Sequence, residues 1–209
     1  MFSDLSLSQL VIVFVSIILS MAVHEAMHAF TSHWLGDTTA KDLGRLTLNP
    51  LKHIDVLTTV LLPMVLILLG TQPFFIAKPV PFNPENVKYE EFGAALIGLA
   101  GPLTNFLLAV IAAMIIRLGG IAVGTGADMV LTTFVAVNLG MFVFNMIPFP
   151  PLDGSRLLYA FAPEPVQKVM YQIEAGGITS ILIFLFIVFP LFGDVIYNVI
   201  NSLYLFLLR

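Results

Sequence analysis

The chain has 209 residues, of which 58% are hydrophobic and only 11% are charged, and its mean hydropathy is +0.98. Because soluble domains carry about 25% charged residues, this composition excludes an ordinary soluble domain and indicates an integral membrane protein. The net charge of −4 and the lack of a Lys/Arg-rich run argue against a nucleic-acid partner. The chain has no cysteine, so any metal must be held by His, Asp or Glu.

Charge-free stretches predict the spanning helices in chain order. Each of the first three stretches is long enough for the roughly 20 residues that a span needs. They are Leu5–Val23, continuing helically toward Trp34, then Ala94–Ile116 and Val130–Leu152. The last apolar region contains Pro190, so we expect one span over Ala175–Gly193 and a short interfacial helix over Val195–Leu208.

The apolar run Val56–Leu69 predicts a re-entrant segment. It has 14 residues and contains Pro63, and runs of that length are more often re-entrant or buried than spanning. If it does not cross the membrane, seven basic residues fall on one side, which the positive-inside rule assigns to the cytoplasm. These residues are Lys41, Arg45, Lys52, Lys78, Lys88, Arg156 and Lys168.

The loops around this segment predict a small β element near the membrane surface. Arg45–Leu48 alternates like a short strand, and the prolines in Ala77–Phe82 favour an extended backbone. The fold class is therefore an all-α polytopic membrane protein with about four spanning helices, a re-entrant segment and a possible small β element. We expect one membrane domain over residues 1–209, with a core at 7–160 and a C-terminal helical segment at 175–209.

The sequence His24-Glu25-Ala26-Met27-His28 predicts a zinc site. Two histidines four residues apart project from one face of a helix and can reach one ion, and Glu25 lies beside them as a candidate base. The alternative is a polar helix end that faces water. Ionisable residues that continue an apolar span are costly and usually functional, which favours the metal site.

A third zinc ligand is needed, and Asp153 is the best candidate. Asp is also a favoured helix N-cap, which is the alternative role. Three prolines break the end of a span just before this carboxylate, and irregular backbone at membrane depth is tolerated only inside protein or beside a cavity. We expect His33 to be a surface or interfacial histidine and His53 to lie in a loop at the membrane boundary.

Asn105 lies within the second span, after Gly101 and Pro102. A lone intramembrane amide is most often a hydrogen-bonding link between helices. The alternative is a catalytic role, in which Asn105 donates a hydrogen bond to the developing oxyanion during peptide hydrolysis. Gly98 and Gly101 permit close helix contact, and Asn138 and Asn145 are expected to be structural.

Five motifs follow one another along residues 20–160: HEAMHAF, GRLTLNPLKHID, AKPVPFNP, AGPLTN and NMIPFPPLDGSRLL. Taken together and in this order, they resemble the site-2 protease family of intramembrane zinc metalloproteases, and most closely its compact bacterial members.

The resemblance implies that His24, His28 and Asp153 bind Zn²⁺ and that Glu25 is the catalytic base. Asn105 matches the asparagine of the family's GPxxN motif, which favours a substrate or transition-state role. The implied substrates are membrane-anchored proteins cut in or near their transmembrane segments. The implied location is the bacterial inner membrane, with the active site toward the cytoplasm. The PDZ-like insertion and nucleotide-sensing module of larger members have no counterpart in the sequence.

Two other functions fit some of these features. One is an inactive zinc-binding membrane scaffold, against which the intact Glu25 argues. The other is an ion transporter, since intramembrane His and Asp also occur along ion pathways. A transporter needs polar residues along a path, whereas the polar groups here cluster at one depth.

Overall fold

A computed structural model describes residues 6–68 and 77–209. The predicted start of the first span at Leu5 and the predicted end of the re-entrant segment at Leu69 lie outside these residues. In chain order, the described α-helices are α1 (Leu7–Trp34), α2 (Thr39–Asp42), α3 (Leu62–Leu68), α4 (Glu90–Leu118), α5 (Gly126–Asn145), α6 (Gly154–Phe161), α7 (Glu164–Ala175), α8 (Ile178–Ile183) and α9 (Phe189–Leu208).

Four helices within the described residues are long and apolar enough to cross a membrane: α1, α4, α5 and the C-terminal helix over Thr179–Leu208. Large apolar side chains on their outer faces remain exposed, as expected for helices surrounded by lipid. The prediction of an all-helical polytopic membrane protein is therefore confirmed.

The C-terminal region differs from its prediction. Instead of a span followed by an interfacial helix, α8, a π-helical stretch at Phe184–Val188 and α9 form one continuous helix. The π-helical turns change the hydrogen-bond register just before Pro190, so the proline ring fits without ending the helix. The prediction of a short interfacial helix is wrong.

The third span is also shifted. It begins at Gly126, where the Thr125 side chain accepts a hydrogen bond from the backbone N–H of Asp128 and caps the helix. It ends at Asn145 rather than Leu152, because Pro148 disfavours helical backbone in the residue before it. The eight residues after Asn145 form an irregular loop whose last residue is Asp153.

The buried face of α1 carries a polar stripe at four-residue intervals. The stripe consists of Ser16, Ser20, His24, His28 and Ser32, all of them buried. Residues four apart lie on one helix face, so the stripe faces the bundle while apolar residues face outward. Ser6 caps α1 in a capping box with Gln9.

Helices α1 and α4 run antiparallel. His28, near the end of α1, contacts Ile97 near the beginning of α4, whereas Ser20 contacts Asn105 farther along. The chain therefore leaves α1 and enters α4 at the same end of the bundle. The backbone N–H of Lys78 donates to the carbonyl oxygen of His53. The described residues before and after the short apolar segment, a π-helix at Val56–Leu61 followed by α3, therefore lie side by side, as expected for a re-entrant segment.

The core of the opposite half of the bundle is made of small and apolar residues of α4 and α5. Ala109, Ala112, Ala113, Val135 and Leu139 are buried there, and residues of α9 pack against them. No β-strand occurs in the described residues. Residues 78–82, for which the prolines predict an extended backbone, have no regular secondary structure, and their backbone groups bond to side chains and to a loop.

Candidate metal centre

Three predicted ligands converge inside the bundle. The Nε2 atoms of His24 and His28 are 3.0 Å apart. Oδ2 of Asp153, which follows the loop after α5, lies 3.1 Å from Nε2 of His24 and 3.4 Å from Nε2 of His28. The ligand atoms of His24, Glu25 and His28 also lie within 4.8 Å of one another.

Each imidazole is oriented through its other nitrogen. Nδ1 of His28 donates to the carbonyl oxygen of Ile97 over 2.6 Å, and Nδ1 of His24 donates to Oδ1 of Asn105, also over 2.6 Å. Because these oxygens only accept, both Nδ1 atoms carry the proton. Both Nε2 atoms therefore present lone pairs to the same point.

The orientation of Asn105 follows from a buried chain of amides. Nδ2 of Asn138 donates to the carbonyl oxygen of Phe134 and to Oγ of Ser20. Oδ1 of Asn138 then accepts from Nδ2 of Asn105 over 2.9 Å, which leaves Oδ1 of Asn105 for His24. Ser20, Asn105 and Asn138 are all completely buried. Their hydrogen-bond network links α1, α4 and α5 behind His24.

This arrangement fits a zinc ion. Two lone pairs and a carboxylate oxygen lie 3.0–3.4 Å apart, an arrangement that is repulsive unless a proton or a cation lies between them. Zinc–ligand distances of 2.0–2.2 Å in a tetrahedron require ligand separations of about 3.3 Å. The three observed separations match that value, and three protein ligands leave one position open, as catalytic zinc sites do.

The side chain of Asp153 does not cap the following helix, which was its alternative role. Asp153 stands at the N-cap position of α6, but its side chain makes no capping hydrogen bond. Its carboxylate instead faces the two imidazoles.

Two glycines of α4 make room for this centre. A Cβ atom on Gly101 would lie 2.5 Å from Nε2 of His28 and 2.7 Å from Nε2 of His24. A Cβ atom on Gly98 would lie 2.9 Å from the carbonyl oxygen of Asp153. The predicted close contact at these glycines is therefore made with the candidate ligands and with the loop that carries the third one.

For Asn105, the geometry favours the linking role over the oxyanion role. Its Oδ1 bonds to His24, and its Nδ2 bonds to Asn138 and to the carbonyl oxygen of Ser20. Both polar ends are thus used behind His24. Asn138, expected to be structural, belongs to the same hydrogen-bond network. Asn145 bonds to the carbonyl oxygen of Met141 in its own helix.

The remaining histidines lie elsewhere. His33, expected to be a surface or interfacial histidine, is half-buried. His53 lies in a loop region as expected but is completely buried, and its Nε2 donates to the carbonyl oxygen of Thr47. Sequence reasoning missed the contact of Glu25, whose Oε2 accepts a hydrogen bond from the backbone N–H of Val80 over 3.1 Å. It also missed Ser20, which the four-residue spacing of the stripe on α1 could have indicated.

Relatives of the chain carry names that agree with this centre. The chain is 35% identical to "Putative zinc metalloprotease YwhC" of Bacillus subtilis, in a match that covers 90% of this chain and 85% of that protein. It is 28% identical to "Putative zinc metalloprotease Rip2" of Mycolicibacterium smegmatis, over 80% of this chain and 64% of that protein. It is 27% identical to "Zinc metalloprotease MJ0392" of Methanocaldococcus jannaschii, over 57% of this chain and 34% of that protein.

No family model matches the chain, and no solved structure matches it. The likeness to YwhC extends over nearly the whole of both chains and includes the residues of the candidate centre within its length. The fold and the centre define a membrane-embedded zinc metalloprotein. The chain belongs to the family of zinc metalloproteases that includes YwhC, and zinc is its cofactor. Its match spans only about two thirds or less of the length of Rip2 and MJ0392.

Proposed function

We propose that this protein is an intramembrane zinc metalloprotease of the site-2 protease type, which hydrolyses peptide bonds in or near the transmembrane segments of membrane-anchored proteins. The observation that carries the proposal is the convergence of His24, His28 and Asp153 beside Glu25, inside a bundle of spanning helices. His24 lies about 26 Å along α1 from its start, at 1.5 Å per residue. That distance reaches the far part of a hydrocarbon core about 30 Å thick.

Each residue of the centre has a separate role in the proposed hydrolysis. His24, His28 and Asp153 hold the zinc ion, which when bound polarises the peptide carbonyl and acidifies a water molecule. Glu25 accepts a proton from the attacking water and passes it to the nitrogen of the leaving amine. Asn105 keeps His24 in the tautomer that a metal ligand needs.

The bundle explains why such an enzyme would take membrane-anchored substrates. The outer faces of α1 and α4 are apolar and exposed, for example at Leu19 and Leu103, so a substrate that is anchored in the bilayer can lie against the helices that carry the centre. The excess of basic residues in the loops at the ligand end supports a cytoplasmic position for this end, by the positive-inside rule. We therefore assign the protein to the bacterial inner membrane, with its centre toward the cytoplasmic side.

Quantitative membrane proteomics of cells that produce the wild type or Glu25→Gln tests this function. The variant keeps the three metal ligands but loses the base, so it should contain as much zinc as the wild type. At least one membrane-anchored protein should persist uncut in its presence. Glu85→Gln, which changes an exposed glutamate outside the centre, is the matched control. Identical cleavage patterns for the wild type and Glu25→Gln would rule out the proposed activity.

A further inference from the structure

Residues 78–83, which we call the strap, have no regular secondary structure and pass beside Glu25. The strap is fixed at its first residue, where the backbone N–H of Lys78 donates to the carbonyl oxygen of His53 over 2.9 Å. The carbonyl oxygen of Lys78 accepts from Nη2 of Arg45 over 2.6 Å. At the last residue, the backbone N–H of Asn83 donates to Oδ2 of Asp37 over 3.0 Å.

The groups that hold the strap are buried and polar. His53 and Asp37 are completely buried, and Arg45 is 6% exposed. Burial alone would raise the pKa of Asp37, but hydrogen bonds from Thr39, Asn83 and Ser32 outweigh it and lower this pKa. Asp37 is therefore a stable carboxylate acceptor for the strap across the neutral range.

The middle of the strap offers one hydrogen-bond donor to the centre. Pro79 and Pro81 have no N–H, so Val80 is the donor between them, and it donates to Oε2 of Glu25. Within residues 79–81, Val80 is therefore the one residue whose backbone can donate to Glu25. The proline on each side of Val80 also stiffens the backbone that presents the N–H.

Arg45 interacts both with the strap, through the carbonyl oxygen of Lys78, and with the negative charge of Glu25. Burial lowers the pKa of Arg45, and the negative charge of Glu25 acts in the opposite direction. Nε of Arg45 is buried without a hydrogen-bond partner. Burying a cation is costly unless it is paired and hydrogen-bonded, and Arg45 is compensated by the strap carbonyl of Lys78 and by the negative charge of Glu25.

We infer that the strap is a positioning element for the general base: Val80 holds one carboxylate oxygen of Glu25 through its backbone N–H, and Arg45 holds the strap in place. Fixing Oε2 removes rotational freedom from the Glu25 side chain and leaves Oε1 free for the proton. A base held in this way starts the reaction in its working orientation. The inference rests on the proposed function for the role of Glu25.

Comparing Val80→Pro with Val80→Ala separates the effect of losing the backbone N–H from the effect of changing the side chain. Proline removes the N–H that donates to Glu25, whereas alanine keeps it. The purified zinc-loaded protein in detergent is assayed on fluorescein-labelled casein, which offers extended segments. We expect Val80→Pro to lower kcat at least about tenfold while KM changes less than about threefold. Zinc content should match the wild type, and Val80→Ala should retain most of the wild-type kcat.

Equal kcat values for the proline and alanine variants would overturn the inference. A Val80→Pro variant faster than the wild type would overturn it as well, because the strap would then act as a brake on Glu25.

A labelling experiment tests the strap without relying on proteolysis. The chain has no cysteine, so Val80→Cys is a unique thiol that keeps the backbone N–H. We expect maleimide to label it at least about tenfold faster with Arg45→Leu than with Arg45→Lys, since lysine keeps a donor and the charge. Equal labelling rates would overturn the role of Arg45. If the wild type cleaves nothing while the labelling rates differ as expected, the proposed function fails and the anchoring of the strap stands.

Discussion

At the scale of single residues, the two histidines of the candidate centre are held by different kinds of partner. His28 donates to a backbone carbonyl, that of Ile97, whereas His24 donates to a side-chain amide, that of Asn105. Substitution can therefore remove the partner of His24 and leave that of His28 in place. Outer partners of this kind orient a metal-binding imidazole and contribute measurably to metal affinity.

Asn105→Leu should weaken zinc binding by about 10- to 100-fold, because His24 loses the acceptor that fixes its tautomer. Competition with a chromophoric chelator measures the affinity directly, without any protease assay. Thr104→Val is the matched control, since the Thr104 hydroxyl donates only to Ala100 of its own helix. Wild-type zinc affinity in Asn105→Leu would contradict the positioning role of Asn105.

At the scale of helices, α4 can approach the histidines because it presents glycine to them. A Cβ atom on Gly101 would overlap both imidazoles. The same helix presents Gly98 to the loop that carries Asp153. The spacing of these glycines therefore sets the distance between α4 and the elements that supply the candidate ligands.

Gly101→Ala should abolish stoichiometric zinc binding, because an added methyl group at 2.5 Å from Nε2 of His28 must displace a ring or the helix. Metal analysis of the purified protein measures the loss. Gly140→Ala is the control on α5, where an added Cβ atom meets nothing within 4 Å. It should keep its zinc and gain up to about 1 kcal/mol of helix stability. A Gly101→Ala protein with one zinc per chain would refute the close fit.

At the scale of the whole molecule, the apolar runs were enough to predict the spanning helices and the helical fold class. They could not predict the exact ends of the last two spans, where a π-helical stretch before Pro190 and the prolines after Asn145 decide the boundaries. The His24–His28 pair followed from helix periodicity, because four residues are about one turn.

Contacts between distant segments could not be predicted in the same way. The chain of Ser20, Asn105 and Asn138 depends on how three helices are rotated about their axes, which packing decides. The hydrogen bond from Val80 to Glu25 joins residues 55 positions apart and depends on loops held by Arg45 and Asp37. The prolines before Asp153 and the motif resemblance both indicated this residue, whereas only the structure shows that its side chain does not cap α6.

The central claim is that His24, His28 and Asp153 hold one zinc ion with an open fourth position. Zinc K-edge X-ray absorption of the purified protein measures this coordination directly. We expect one zinc per chain, with two imidazole nitrogens and a carboxylate oxygen at about 2.0–2.2 Å and one further light ligand. A spectrum without imidazole scattering, or with a single imidazole, would contradict it.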